Sequence, residues 1–385
     1  MNQEIQVKHN PTRTAITTVK GILVLISLLL MLFMLSIVCL GSSFGGYGGM
    51  VSSLGINIQE QLSIFSNHTI SQALDGLIPV ERIYVLNDSD IVAPEPDQSA
   101  FGSTDDPTSL QWLINKTHPR LNGEELFFKM DAPLLRGSEV QYYLDDSIAV
   151  LTWKQVFHSA VYTFSEVKIN HPSQFRRFLA DGKYGSDKQY LTSQMATSVN
   201  AVVASAGDFY KYRNKGLVVY NGKVERFNGT MLDSCFIDDK GNLLFSKAGV
   251  LQTQEDLEQY VKDNNIRFSL SFGPILIEEG KSKVPGQYLI GEINGNYSRS
   301  AICQLGDLHY LFVTVNDEGG YHGFPTLYTF AKTLVSQGIE HAYTLDGGQT
   351  ATIVMNDKVI NHVSYGAERY ISDIIYFATA IPETE

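Results

Sequence analysis

Cysteine is scarce in this chain of 385 residues: there are three, at positions 39, 235 and 303. They form no Cys-x-x-Cys pair and no Cys/His group at zinc spacing, so no metal site and no cofactor is expected from them. Cys235 and Cys303 read as two buried free thiols. A disulfide between them is the alternative if this part of the protein faces an oxidising compartment. Beyond the N-terminus there is no block of Lys or Arg, and the formal net charge is −12. That balance excludes a nucleic-acid partner, because phosphate backbones are held by basic surfaces. It leaves room for an anionic substrate met by a few placed arginines. Several catalytic signatures are missing too: no G-x-S-x-G elbow between a strand and a helix, no H-E-x-x-H, no P-loop. No fixed-period repeat is present.

Long hydrophobic runs are limited to one. Gly21 to Leu40 carries no charge and is long enough to cross a bilayer as a helix. Lys8, Arg13 and Lys20 precede it against one acid, Glu4, which places the N-terminus inside and the rest outside. The run is long for a cleavable signal, and no Ala-x-Ala-like site follows. The expected organisation is a cytoplasmic tail (1–20), a transmembrane helix (21–41), a hinge and N-terminal extracytoplasmic region (42–137), and a main domain (138–382). Within the third of these, 56–77 suggests a helix, 91–107 an extended connector, 109–115 a short helix and 124–129 a strand.

The main domain is rich in short β-prone runs separated by turn residues. Strands are expected at 140–144, 148–153, 161–169 and 201–205. An Asn221-Gly222 turn joins 217–220 to 224–227 as a hairpin. Further strands are expected after the Gly273-Pro274 bend, at 308–315, before Asp346, as a hairpin over 352–360, and at 371–377. Helices are expected at 173–179, with Ser173 as N-cap, at 255–263, and after Pro325. In the last, Leu327, Phe330, Ala331, Leu334 and Val335 repeat at helical spacing and Gly338 stops it. The paired Arg176 and Arg177 read as a solvated face. The pattern is α+β, a mixed and mostly antiparallel sheet with a few packing helices.

The stretch from Ala342 to Thr350 organises the reading of function. An apolar run ends in Asp346, and Gly347 and Gly348 follow at once. Glycine permits positive φ and close backbone approach, so the carboxylate is expected at the lip of a sheet beside free N–H groups. Asp208 and Asp317 also stand at strand ends. Arg213, Arg299 and Arg369 lie near turns, and His322 is in a Gly-flanked loop. Carboxylates with guanidinium groups suit hydrolysis at a sugar carbon next to a phosphate: arginine matches phosphate oxygens in pairs, and a carboxylate acts as nucleophile or base at an anomeric carbon. A solvated turn is the competing reading for Asp317, a loop-surface position for His322, and structural ion pairing for Arg213 and Arg369.

Taken in order, several short motifs resemble the phosphodiester glycosidase domain family over roughly 153–377. They are Ala206-Gly207-Asp208-Phe209-Tyr210, Phe272-Gly273-Pro274, Arg299-Ser300-Ala301-Ile302, Leu345-Asp346-Gly347-Gly348, and Arg369 before the last strand. The resemblance implies a hydrolase that cleaves sugar-1-phosphodiester bonds; with the apolar run at 21–41, the expectation is a membrane-anchored extracytoplasmic enzyme acting on cell-surface or extracellular glycopolymers such as exopolysaccharide. The resemblance also implies Asp346 as nucleophile or base and Arg299 as phosphate clamp; Asp208, at its strand end and where the family pattern has glycine, is the candidate second carboxylate. Gly207, Arg213, Asp317, His322, Gly347, Gly348 and Arg369 would be substrate contacts. The family pattern continues Asp-Gly-Gly-Gly-Ser-Ser, whereas Gln349, Thr350 and Ala351 stand here, and Asn316-Asp317-Glu318 replaces its Asp-Gly-Arg. These departures keep a second reading open, a non-catalytic glycan-binding or assembly protein.

Overall fold

The computed structural model describes residues 92–380, apart from 119–120, 122–124, 130–132, 209 and 290–292. The apolar run at 21–41 and the helix expected at 56–77 lie outside the described residues. Among those described, no helix is long and apolar enough to cross a membrane.

The described residues open with strand β1 (Phe101–Thr104), helix α1 (Pro107–Thr117), and strands β2 (Val140–Leu144), β3 (Ile148–Phe157), β4 (Ala160–Ile169) and β5 (Phe175–Leu179). Helix α2 (Thr192–Ser198) leads to β6 (Val203–Ala206), β7 (Gly216–Tyr220), β8 (Lys223–Asn228), β9 (Ser234–Ile237) and β10 (Leu243–Ser246). Helix α3 (Gln254–Asp263) precedes β11 (Phe268–Leu270), β12 (Ile275–Glu278), β13 (Lys281–Ser282), β14 (Arg299–Gly306) and β15 (His309–Asn316). Helix α4 (Leu327–Ser336), β16 (His341–Leu345), β17 (Ile353–Met355), β18 (Lys358–Val359) and β19 (Asp373–Phe377) complete it. Every pairing between these strands is antiparallel, and with four helices among the described residues the fold is α+β.

A nine-stranded sheet ordered β1-β2-β3-β4-β15-β14-β16-β12-β13 is the frame. Because side chains alternate along a strand, its two faces bury different sets. Tyr162, Phe164, Ala301, Cys303, Leu311 and Val313 pack against Leu113 and Ile114 of α1 and Phe330 and Leu334 of α4. Val150, Val167, Ile302, Tyr310, Phe312 and Tyr343 face the other way, onto Phe175, Val203, Ile375 and Phe377 of a five-stranded sheet, β18-β17-β6-β19-β5, and onto Cys235 and Phe268. Cys235 and Cys303 are both buried and free; they belong to clusters on opposite faces of the large sheet.

Four expectations are corrected. Residues 175–179 form strand β5, not a helix; only Pro172–Gln174 makes a helical turn. Here long-range pairing with β19 outweighs local propensity. Arg176 and Arg177 are fully buried rather than solvated. The stretch 91–107 carries β1, which pairs with β2, so it is part of the sheet rather than a bare connector. Residues 125–129 form no strand.

Candidate active site

Strand β16 delivers Asp346 to the edge of a cavity. It pairs with β14 so that Ser300 faces Leu345; one further step of that register sets Arg299 across from Asp346. The turn that follows is built on Ser298. A Cβ on Gly347 would meet the Ser298 carbonyl oxygen at 2.6 Å, so glycine alone fits there. The Gly348 N–H donates to the same oxygen at 2.8 Å, and Gly348 itself has φ of +62°, a region glycine enters without penalty. The Asp346 N–H donates to the Gly207 carbonyl at 3.2 Å, which ties the strand end to the neighbouring sheet.

The cavity is about 320 Å³. Its wall includes Asp346, Gly347, Gly348 and Gln349 from the turn and Tyr297, Ser298 and Arg299 from the entry to β14. Arg213, Phe272 and Tyr288 contribute from other loops, and Tyr365 and Arg369 from the segment before β19. Arg299 is held by main-chain oxygens: its Nε donates to Pro325 at 3.3 Å and its Nη2 to Gly295. The guanidinium of Arg213 lies 4.2 Å from the centre of the Phe272 ring and that of Arg369 4.8 Å from the Tyr212 ring. Flat contacts of this kind hold a cation in place while leaving its edge usable.

Asp346 is partly exposed toward the cavity, yet protein crowds its carboxyl. Desolvation raises its pKa from 3.8 to about 6, opposed by a hydrogen bond with Thr350 and by the charges of Arg213 and Arg369. A carboxylate titrating near neutrality among three arginines is equipped for base or nucleophile work at an anionic substrate.

Of the residues singled out from sequence, the fold gathers Asp346, Gly347, Gly348, Arg213, Arg299 and Arg369 around this one cavity. Asp208 is elsewhere. Its Oδ1 accepts from Arg177 Nη2 at 2.9 Å and its Oδ2 from the Ser271 N–H at 2.8 Å. Arg177 also reaches Asp373 at 2.9 Å, and all three side chains are buried. The carboxylate expected as a second catalytic group is thus engaged in a buried ion pair. Gly207 serves the same network: a Cβ there would strike Asp373 Oδ2 at 2.1 Å. Asp317 and His322 do not line the cavity either. Asp317 lies 3.3 Å from His362 Nδ1 and 3.9 Å from His322 Nδ1, and His322 is largely exposed. Among the described residues no cluster of three His, Cys, Asp or Glu side chains is arranged to hold a metal ion.

Sequence reasoning missed the aromatic part of the wall, Phe272, Tyr288, Tyr297 and Tyr365, as functional side chains. Phe272 stood in a family-like motif, but the tyrosines carry no local signal. They meet only because four separate loops converge.

Residues 199–378 match the family profile described as phosphodiester glycosidase. The match begins later than the motif resemblance at about residue 153; β1–β5 and α2 begin upstream of it. The chain is similar to the SPbeta prophage-derived uncharacterized protein YomE of Bacillus subtilis (strain 168), with 23% identity over 208 residues, 52% of this chain and 32% of that protein. The chain thus spans about a third of the length of the curated relative it matches. A crystal structure of a hypothetical protein from Synechocystis shares the fold at a TM-score of 0.50 and 15% identity, covering 64% of each chain. The zebrafish N-acetylglucosamine-1-phosphodiester alpha-N-acetylglucosaminidase catalytic domain, auto-inhibited by its pro-peptide, aligns at a TM-score of 0.49 and 18% identity, over 64% of this chain and 86% of that one.

Proposed function

We propose that the protein hydrolyses the glycosidic bond of sugar-1-phosphodiesters, with cell-surface or extracellular glycopolymers as the substrate class. The observation that carries this reading is a single carboxyl raised to about 6, Asp346, in a cavity also walled by Arg213, Arg299 and Arg369. In the reaction the bond from the anomeric carbon to the phosphate oxygen breaks and an oxygen from water replaces it. The products are the free sugar and a phosphomonoester. Asp346 takes the proton from the attacking water, or attacks first and is then released by water. The phosphate departs as an anion, so no second carboxyl is needed to protonate it. The arginines neutralise the charge that grows on it, and Arg299, held by two main-chain oxygens, is the clamp.

The apolar run at 21–41 would anchor the chain, with this domain on the outer side of the membrane. The test of the catalytic reading is release of free sugar from an N-acetylglucosamine-1-phosphodiester by the parent, Asp346→Asn and Arg299→Ala. Turnover lost in both variants with folding intact supports it. A parent that turns over no sugar phosphodiester refutes it.

One observation favours a second reading, glycan binding without catalysis. Gln349, whose Nε2 donates to the Ala367 carbonyl at 3.0 Å, occupies cavity wall that a glycine would leave open. Binding without turnover would establish it, and Gln349→Gly is then the first reversion to make.

A further inference from the structure

Tyr365 stands out among the cavity residues. Its side chain is 91% exposed although it belongs to the cavity wall. Its backbone has φ of +66° and ψ of +11°, a region that aromatic side chains rarely enter. An exposed ring gains nothing from burial that would hold it there, so the conformation is imposed by the loop. Two hydrogen bonds show how. Ser364 Oγ and Ser298 Oγ are 2.7 Å apart, and the Gly366 N–H donates to the Val363 carbonyl at 2.9 Å. The first bond fastens the loop to the residue beside Arg299, whose carbonyl also carries the Asp346 turn. The same contact brings the neighbours of the two serines, Tyr365 and Tyr297, to one cavity. Tyr297 is 47% exposed, with the Arg299 guanidinium 5.5 Å from its ring centre. A strained, solvent-facing aromatic pinned beside a binding group points to ligand contact.

We propose that Tyr365, with Tyr297, forms a sugar-stacking subsite at the mouth of the cavity, which receives the apolar face of a pyranose ring while the arginines hold its phosphate. This rests on the reading that the cavity takes a sugar phosphodiester. The chemistry divides the work. Guanidinium groups recognise the anion whatever it is attached to. A pyranose ring presents C–H groups on one face and hydroxyls at its rim, and a flat aromatic ring matches the C–H face. Tyr365 therefore sets preference for a sugar over other phosphodiester substituents, and it does not move charge or protons.

The experiment uses the full-length chain carrying Asp346→Asn, so that bound ligand is not consumed. Calorimetric titration compares the methyl phosphodiester of N-acetylglucosamine 1-phosphate with dimethyl phosphate, which has the same anion and no sugar. Tyr365→Ala is expected to weaken the sugar ligand about tenfold, the scale of one aromatic contact, and to leave dimethyl phosphate within twofold. Tyr365→Phe should match the parent for both. Tyr365→Gly should weaken the sugar ligand like alanine while its Tm equals or exceeds that of the parent, because glycine adopts the loop backbone freely. Sugar affinity unchanged in Tyr365→Ala, equal weakening of both ligands, or a lowered Tm in Tyr365→Gly would each overturn the proposal. A parent enzyme without turnover but with Tyr365-dependent sugar binding would refute the glycosidase reading and keep this one. Turnover with sugar affinity indifferent to Tyr365 would do the reverse.

Discussion

Replacing Gly347 by alanine tests whether the turn after β16 positions Asp346. An added Cβ would meet the Ser298 carbonyl oxygen at 2.6 Å, where ordinary contact begins at 3.4 Å. The turn and the strand entry must separate by the difference, about 0.8 Å. Both partners are backbone, so no rotamer change relieves the clash. The Gly348 N–H bond to the same oxygen, 2.8 Å, is strained with it, a loss of about 1 kcal/mol. Overpacking adds about 1–3 kcal/mol. The expected stability loss is therefore about 2–4 kcal/mol, read as a Tm lower by roughly 5–15 °C. Asp346 adjoins the displaced residue. Because misplacing a reacting group by about 1 Å costs on the order of 100-fold in rate, kcat/KM for sugar release should fall by nearly that factor. Gly348→Ala is the control. An added Cβ there meets nothing within 4 Å, but the φ of +62° remains. It should cost about 1–2 kcal/mol and change kcat/KM by less than fivefold. Parent-like activity and Tm in Gly347→Ala, or greater damage from Gly348→Ala, would refute the idea that close approach to Ser298 sets the carboxylate.

Further outcomes follow from the ionisation of Asp346 and from the buried ion pair. The working form of Asp346 is ionised, so kcat/KM should rise with pH through a limb near 6. Arg369→Ala removes a cation that favours the ionised form and should move that limb up by about one unit; a limb that stays put would break the coupling. The folded-state pKa is raised above 3.8, so the native chain holds this proton more tightly than the unfolded one, and stability falls as pH rises from about 4 to 6. Asp346→Asn should abolish turnover and yet, at pH 7–8, raise the unfolding free energy in urea by up to about 3 kcal/mol. A variant less stable than the parent there contradicts this. Arg177→Met leaves Asp208 and Asp373 buried beside each other without their cation. It should cost about 3–5 kcal/mol at neutral pH, with the deficit narrowing in acid as Asp373, whose pKa burial raises, gains a proton; a loss below about 1 kcal/mol would show that the pair matters little.

The strands and helices that stand on a clean hydrophobic period were legible in the sequence. Helix α4 repeats its buried face at helical spacing and stops at Gly338, which has φ of +85°. The β7–β8 hairpin turns on Asn221-Gly222, both at positive φ. Strand β5 was not legible, because two arginines in mid-strand read as surface. The burial of Arg177 depends on Asp208 and Asp373, 31 and 196 residues away in the chain, while Arg176 donates from Nε to the Ser173 carbonyl. The place of Asp208, away from the cavity, was not legible for the same reason. An acid at a strand end looks alike whether it meets a cavity or a buried guanidinium.

The sequence by itself determined an α+β domain, the strand–acid–glycine turn at Asp346, and the residue types suited to an anionic sugar substrate. These are local properties: a period of two or of 3.6, a residue that tolerates positive φ, a charge. Only the tertiary structure decided which charges share one space. It placed Arg213, Arg299 and Arg369 around Asp346, withdrew Asp208 into the pair with Arg177, and brought Tyr297 and Tyr365 to the cavity mouth. It also raised the Asp346 carboxyl to about 6, because desolvation and opposing charges are set by what lies within a few ångströms in space, whatever the distance along the chain.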